Sequence, residues 1–295
     1  MSGETAPLSL LDVLKRTTDY LKQQGCDAPR LEAELLLSKG LGIKRIDLYL
    51  QFDRPLEERE LAQCRALVRR RGMREPIAYI LGEKEFRSLA FEVNPDVFIP
   101  RPDTETVVDA AAAYAKNRPG DLLLADVGTG SGCLAVSMAY EIPASKLIAT
   151  DISPAALATA ARNAARHGVH ERIQFIESAY LDKVPESLQF DAIVCNPPYV
   201  LLSELAALQP ELKYEPAAAL CPPGDDVNNI FVKLAAVARE RLKPGGRIFI
   251  EIGESQAESA ERALLDAGLE LPMRARDLSG AERVVSAAAA SFLSP

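Results

Sequence analysis

Leu122-Leu123-Leu124-Ala125-Asp126-Val127-Gly128-Thr129-Gly130-Ser131-Gly132 decides how this chain is read. Its apolar start suits a buried strand, and the Cys133-Leu134-Ala135-Val136-Ser137-Met138-Ala139 stretch that follows suits a helix. Strand, glycine turn and helix form the setting of a nucleotide loop, because glycine lets backbone approach a ligand closely and take positive φ. A second apolar run, Lys146-Leu147-Ile148-Ala149-Thr150, ends at Asp151. That lies about twenty residues further on, where a carboxylate suits a ribose diol. The plainer reading is a tight turn joining strand to helix with Asp151 a solvated strand end, and the spacing of Asp151 weighs against it.

The loop also separates two classes of ligand. Its glycines stand at 128, 130 and 132, so the last comes one position earlier than in G-x-G-x-x-G, and a pyrophosphate at the helix start is poorly supported. Asp126 puts a negative charge beside the loop, which repels a diphosphate and suits an ammonium group. S-adenosylmethionine carries that group and no phosphate.

Further along, the strand-like run Asp191-Ala192-Ile193-Val194-Cys195 ends in Asn196-Pro197-Pro198-Tyr199. Neither proline has an N–H to continue a ladder, so the chain leaves the sheet with a stiff backbone. Such a turn holds an amide, a free carbonyl and an aromatic ring in fixed relation. An NH₂ group can be gripped there by two acceptors and stacked on one flat face. A rigid strand cap is the bland alternative, but it gives no reason for asparagine.

With these two motifs together the chain resembles the release factor glutamine methyltransferases, the HemK/PrmC family. The resemblance spans nearly the whole sequence. It runs through Glu75-Pro76-Ile77-Ala78-Tyr79-Ile80-Leu81-Gly82, Phe86, Phe91, Val93, Ile99-Pro100-Arg101-Pro102-Asp103-Thr104-Glu105 and Asp151-Ile152-Ser153-Pro154. It continues through Glu215-Pro216, Leu242-Lys243-Pro244-Gly245-Gly246, Glu251-Ile252-Gly253 with Gln256, and Gly280 with Arg283-Val284-Val285. The resemblance implies methyl transfer from S-adenosylmethionine, leaving S-adenosylhomocysteine, to the side-chain amide nitrogen of the glutamine in the Gly-Gly-Gln motif of class I peptide chain release factors. It implies that Asn196 Oδ1 and the Pro197 carbonyl orient that amide, with Pro198 stiffening the turn and Tyr199 packing on the amide plane. Asp126, Gly128, Thr129, Gly130 and Gly132 would face the methionyl part of the donor and Asp151 its ribose. Ile152, Ser178, Ala179 and Tyr180 would lie by the adenine, Phe98, Pro100 and Arg101 on the other wall, and Glu215 near the substrate loop. Ala179 stands where the family usually has aspartate, Asp103 where it usually has glutamate, and Asp225-Asp226-Val227-Asn228-Asn229 replaces a Gly-rich Asp-Gly-Leu pattern. Arg101 is expected either to line the donor or to pin Asp103 or Glu105.

The 295 residues, 48% of them hydrophobic, allow one large domain or two. No apolar stretch is long enough to span a membrane, and neither a signal nor a transit peptide is visible, so a cytoplasmic monomer is expected. Five scattered cysteines and two histidines offer no metal cluster and no disulfide framework. His167 and His170, flanking Gly168, read as surface residues at a helix end. Net charge is −8 and unevenly spread. Residues 1–80 hold fourteen Lys and Arg against twelve Asp and Glu, and the rest twenty against thirty. An acidic catalytic part argues against duplex binding. The cluster Arg65, Arg69, Arg70, Arg71 and Arg74 reads as either a solvated helix end or a partner-docking patch.

Periodicity and caps divide the chain into a helical bundle (1–81), a hairpin linker (82–97) and an α/β catalytic domain (98–295). Helices are expected after Ser9, over Ala28 to Ser38, and over Leu56 to Arg71 with Pro55 opening and Gly72 closing it. Strands are expected near 121–126, 146–150, 172–177, 190–195, 246–252, 269–275 and 282–289, the last two as a reversed hairpin edge. The family fold, a seven-stranded Rossmann-like methyltransferase sheet, places the seventh strand antiparallel between the fifth and sixth. The strongest competing function is N6 methylation of adenine in DNA or RNA, whose target is also a planar NH₂. It would need a positive surface and stacking groups for flanking nucleotides. A non-enzymatic scaffold and a nicotinamide dehydrogenase fit less well.

Overall fold

The computed structural model describes residues 8–116, 118–205 and 208–291. The chain divides into two compact units, Met1–Glu83 with Gln209–Tyr214 and Lys84–Leu208 with Glu215–Pro295.

The first unit is helical, with α1 (Leu10–Gln23), α2 (Pro29–Leu41), α3 (Asp47–Leu50), α4 (Glu58–Gly72) and α5 (Ile77–Leu81). Ser9 caps α1 by accepting from Asp12 N at 3.2 Å, and the Asp12 carboxylate accepts in return from Ser9 N. Leu10, Leu14 and Leu21 bury one stripe against Leu36 and Leu37 of α2 and Cys64 of α4. Pro55 does not open a helix: it bridges to Ser9, and α4 starts behind a capping box of Glu57 and Glu60. Gly72 does not stop α4 either. It lies inside the last turn, where a Cβ would come 2.2 Å from the Tyr20 hydroxyl, so close packing explains the glycine.

Four of the five clustered arginines pair with carboxylates of this unit, and Arg69 stays exposed. Arg71 is buried and paired with Glu32 (2.8 Å) and Glu211 (2.8 Å); Arg74 also reaches Glu211 (2.8 Å). Arg70 pairs with Glu75 and Arg65 with Glu58. Glu211 comes from Gln209–Tyr214, whose Tyr214 hydroxyl donates to the Met73 carbonyl at 2.8 Å.

A hairpin, β1 (Glu83–Phe86) and β2 (Leu89–Glu92), precedes the second unit's sheet. His167 is not simply a surface residue. It is half-buried, its Nε2 is 2.9 Å from the Ala90 carbonyl, and its ring packs 5.3 Å from that of Phe91.

The sheet is built from β3 (Leu122–Val127), β4 (Ser145–Asp151), β5 (Ile173–Glu177), β6 (Phe190–Cys195), β7 (Leu242–Glu251), β8 (Glu270–Arg276) and β9 (Glu282–Ala288). Their order is β5-β4-β3-β6-β7-β9-β8, with β9 antiparallel to both neighbours. This is a seven-stranded Rossmann-like methyltransferase sheet. Helices α6 (Glu105–Ala115), α7 (Cys133–Glu141) and α8 (Pro154–Arg166) contribute to one core, which includes Phe249 of β7. Between β6 and β7 lie two short helices, α9 (Leu202–Leu205) and α10 (Ala217–Leu220), then α11 (Val227–Arg241). The last of these packs with α12 (Ala257–Asp266) in the other core, around Phe231, Leu234 and Leu264. β3 pairs in parallel with β4 and β6, so the order reverses at β3, and crevices open at the strands' carboxyl ends at such a point. Register aligns Val127 with Thr150 and with Cys195, and Cys195 with Ile250. The residues that end these four strands therefore share one edge.

Candidate active site at the strand ends

The glycine loop occupies the first part of that edge. Gly128 and Gly130 have φ of +76° and +55°, and a Cβ on either would meet nothing within 4 Å, so the loop is open on its outer side. Gly132 has a different reason. A Cβ there would lie 3.0 Å from Ala160 Cβ and 3.1 Å from its Cα, so this glycine lets α7 start against α8.

Asp126 is fully buried beneath the loop. Its Oδ2 accepts from Thr129 Oγ1 at 2.7 Å and Ala135 N at 3.1 Å, while Oδ1 has no partner among the described residues. Burial pushes its carboxyl up to about 7, against those two bonds. Asp151, at the end of β4, accepts from Gly130 N at 2.8 Å on one oxygen and Ser153 N at 2.9 Å on the other. Each oxygen keeps a second lone pair. Beside it the Ile152 side chain is 63% exposed, an apolar surface at a polar strand end. An orphaned buried oxygen, an open glycine cradle, a carboxylate with spare lone pairs and an exposed aliphatic face fit S-adenosylmethionine by its ammonium, methionyl chain, ribose and adenine.

The adenine end departs from expectation. Ser178 is buried, and its hydroxyl bonds the Ala179 carbonyl and Lys183 N, both at 3.0 Å. The Ala179 carbonyl also accepts from Asp182 N, so it already serves the turn. Tyr180 is held at φ +47°, and its ring packs against the core.

The Asn196–Tyr199 turn is fastened at three points. Asn196 Nδ2 donates to Thr104 Oγ1 at 3.1 Å. The Tyr199 hydroxyl donates to Glu251 Oε1 at 3.0 Å. The Tyr199 carbonyl accepts from Gln256 Nε2 at 3.0 Å, and Gln256 Oε1 accepts from Gly253 N at 2.9 Å. Among the described residues neither Asn196 Oδ1 nor the Pro197 carbonyl oxygen accepts a hydrogen bond. Two acceptors are thus held at one strand end next to an aromatic ring. Burial, then the Glu251 carboxylate, raise the Tyr199 hydroxyl well above the usual phenol range and keep it protonated.

Arg101 pins neither Asp103 nor Glu105. It pairs with Glu215 and lies 4.6 Å over the Phe98 ring, while Asp103 pairs with Arg283 and Glu105 accepts from Arg87 N. The Glu215 side chain is 1% exposed and its other oxygen accepts from Ile99 N at 3.0 Å. Each of its oxygens holds one partner, so it anchors the Phe98–Arg101 wall. The Asp225-Asp226 departure is structural: Asp226 caps α11 through Asn229 N, and Asp225 accepts from Leu202 N at 2.7 Å.

Sequence reasoning missed Thr104, Glu251 and Gln256 as site residues. Each lies in a stretch that carries the family resemblance, but only the fold brings them under the Asn196–Tyr199 turn.

Two family profiles match, the PrmC N-terminal domain over residues 12–82 and the methyltransferase small domain over residues 111–211. A release factor glutamine methyltransferase of Geobacter sulfurreducens is 43% identical over 274 residues, covering 92% of this chain and 94% of its own. One from Rhodopirellula baltica is 36% identical, covering 97% and 98%, and one from Bordetella pertussis 40% identical, covering 87% and 93%. Among solved structures, the hMettl16 catalytic domain in complex with MAT2A 3'UTR hairpin 1 aligns at TM-score 0.55 and 12% identity, covering 81% of this chain and 82% of that one. At that identity the likeness shows the fold alone.

Proposed function

From the premise that this chain belongs to the release factor glutamine methyltransferase family, we propose how its strand-end residues divide the work of methylating a glutamine side-chain amide. The enzyme uses S-adenosylmethionine and acts on the glutamine amide nitrogen of release factors. Nothing in the comparisons supports methylation of adenine in DNA or RNA.

Asp126, Gly128, Thr129, Gly130 and Gly132 hold the methionyl end of the donor, and Asp151 accepts from the ribose hydroxyls. Ile152 and the Ser178–Tyr180 turn border the adenine, with Phe98, Pro100 and Arg101 opposite. The donor supplies a methyl group already activated on sulfonium sulfur. A carboxamide nitrogen is a weak nucleophile, since its lone pair is delocalised into the carbonyl, so the protein's task is alignment and exclusion of water. Asn196 Oδ1 and the Pro197 carbonyl accept the two N–H groups, which aims the nitrogen and offsets positive charge as the N–C bond forms and the C–S bond breaks. The nitrogen then releases one proton to solvent, and S-adenosylhomocysteine leaves with the C–S bonding electrons on sulfur. Tyr199 packs its ring on the amide plane, and Pro198 fixes the backbone between.

One observation carries this reading: Asn196 and Pro197 present two unused acceptors from a turn whose side chains are held from behind. It is tested by Asn196→Ala. Loss of one oriented transition-state bond costs about 3 kcal/mol, so turnover should fall by roughly a hundredfold or more while calorimetric donor affinity stays near wild type. Near-normal turnover would remove Asn196 from the mechanism.

Recognition beyond the amide is assigned to the helical unit, because every glutamine shares the same reacting group. Arg65, Arg70, Arg71 and Arg74 are paired with carboxylates of the same unit, whereas Ile46, Leu50 and Phe52 are each more than half exposed and close in sequence. Such a grouping marks an interaction surface. Among the described residues no helix is long and apolar enough to cross a membrane. A cytoplasmic location is the setting that suits a release factor substrate.

A further inference from the structure

Glu251 ends β7 fully buried. A carboxylate in such a place is costly unless paired and fully hydrogen-bonded. Glu251 is neither. Its Oε1 accepts from the Tyr199 hydroxyl, and its Oε2 has no partner of hydrogen-bonding geometry among the described residues. The guanidinium that acts on it, Arg283, is committed to Asp277 at 2.8 Å and Asp103 at 3.3 Å. An apolar side chain would fill the same space at less cost. What the carboxylate adds is its neighbours: Tyr199 on one side, and on the other Thr104, whose hydroxyl interacts with the carboxyl and receives Asn196 Nδ2 at 3.1 Å. Thr104 Oγ1 accepts from the Asn196 NH₂, so that end of the amide faces Thr104 and Oδ1 faces away.

We propose that Glu251 is a positioning residue for methyl transfer, holding the Tyr199 ring directly and, through Thr104, the Asn196 amide in the orientation that receives the glutamine NH₂. The inference rests on the function proposed above and adds a residue that touches neither donor nor glutamine. Burial pushes its carboxyl up to about 7, Thr104 and Tyr199 pull it down, and Asp103 and Arg283 oppose each other. The Cys133 and Cys195 thiols, which feel its charge, are kept neutral by burial. The ionised carboxylate is the stronger acceptor for the Tyr199 hydroxyl and attracts the Thr104 hydroxyl dipole more strongly. Turnover should therefore rise with pH through a limb near 7 that belongs to Glu251.

The test uses the full-length protein with Glu251→Gln and, separately, Thr104→Val. Calorimetry gives donor affinity, and a pH series against intact release factor gives kcat and KM. The inference expects donor affinity within about twofold of wild type and kcat lowered about tenfold or more in both variants, tenfold being ~1.4 kcal/mol. It also expects the limb near pH 7 to vanish in Glu251→Gln. A kcat within about threefold of wild type in both variants, with the limb retained, overturns it. If Glu251→Gln does not fold, Thr104→Val decides by the same kcat criterion. Wild type runs alongside, so an inactive wild type counts against the functional reading, and an active one with unaffected variants counts against Glu251.

Discussion

Replacing Asp151 by asparagine removes a charge and one acceptor while keeping the shape. In the protein its two oxygens accept from Gly130 N at 2.8 Å and Ser153 N at 2.9 Å, which ties the glycine loop to the end of β4. An asparagine offers one oxygen, so its NH₂ must point at one of those two N–H groups, donor against donor. The loop therefore loses one charge-assisted bond outright, and the other becomes neutral. In the donor complex the ribose also loses a charged acceptor. A hydrogen bond to a charged group is worth about 1.5–3 kcal/mol, so the donor dissociation constant should rise roughly tenfold to a hundredfold. The effect belongs to binding, because Asp151 lies at the ribose and not at the reacting atoms. Turnover at saturating donor should fall by less than about threefold, under about 0.7 kcal/mol. Isothermal titration with donor and product gives the first quantity, and steady-state kinetics at raised donor gives the second. An unchanged donor dissociation constant in a folded Asp151→Asn protein would refute the reasoning and leave Asp151 as a loop brace alone.

Gly132→Ala should destabilise the fold by about 1–3 kcal/mol, because the new methyl meets Ala160 and the backbone sits at φ +82°; denaturant unfolding measures it. Asp126 titrates near 7 in the free protein, and a bound ammonium group would lower that value, so donor binding near pH 7 should release roughly half a proton. Calorimetry in buffers of different ionisation enthalpy reads this directly, and no buffer dependence would count against an ammonium beside Asp126. Without donor, the same raised carboxyl contributes stability that is full below the unfolded value of 3.8 and is lost as pH rises through the folded value near 7. Leu50→Asp with Phe52→Asp should raise KM for intact release factor about tenfold and leave donor affinity unchanged, as expected for a docking surface.

The central sheet was legible because β3, β4 and β6 are apolar runs closed by a glycine, an aspartate and an asparagine with a proline pair. Those same closing residues are the site, so strand order alone brought Asp126, Asp151 and Asn196 to one edge. Local rules failed where a distant residue decided the outcome. Pro55 has the right chemistry to open a helix, yet Ser9 holds it in a bridge. Gly72 looks like a helix stop and is instead a seat for Tyr20. The arginines looked like a charged patch because their partners, Glu32 and Glu211, are remote in sequence. Glu215 and Arg101 were read separately, and their pairing appears only when the loop after Tyr199 returns to Ile99. Glu251 was hidden for the same reason: a glutamate ending a buried strand has no local signal for what it holds.

The central claim is that this protein places one methyl group on a glutamine amide nitrogen of a release factor. It is tested most directly by fragmentation mass spectrometry of release factor peptides after incubation with the protein and S-adenosylmethionine. The account predicts a single added methyl, localised to the glutamine of the Gly-Gly-Gln motif and formed roughly a hundredfold more slowly or worse with Asn196→Ala. A methyl on any other residue, or none on that glutamine with a wild-type protein that binds the donor, would contradict it.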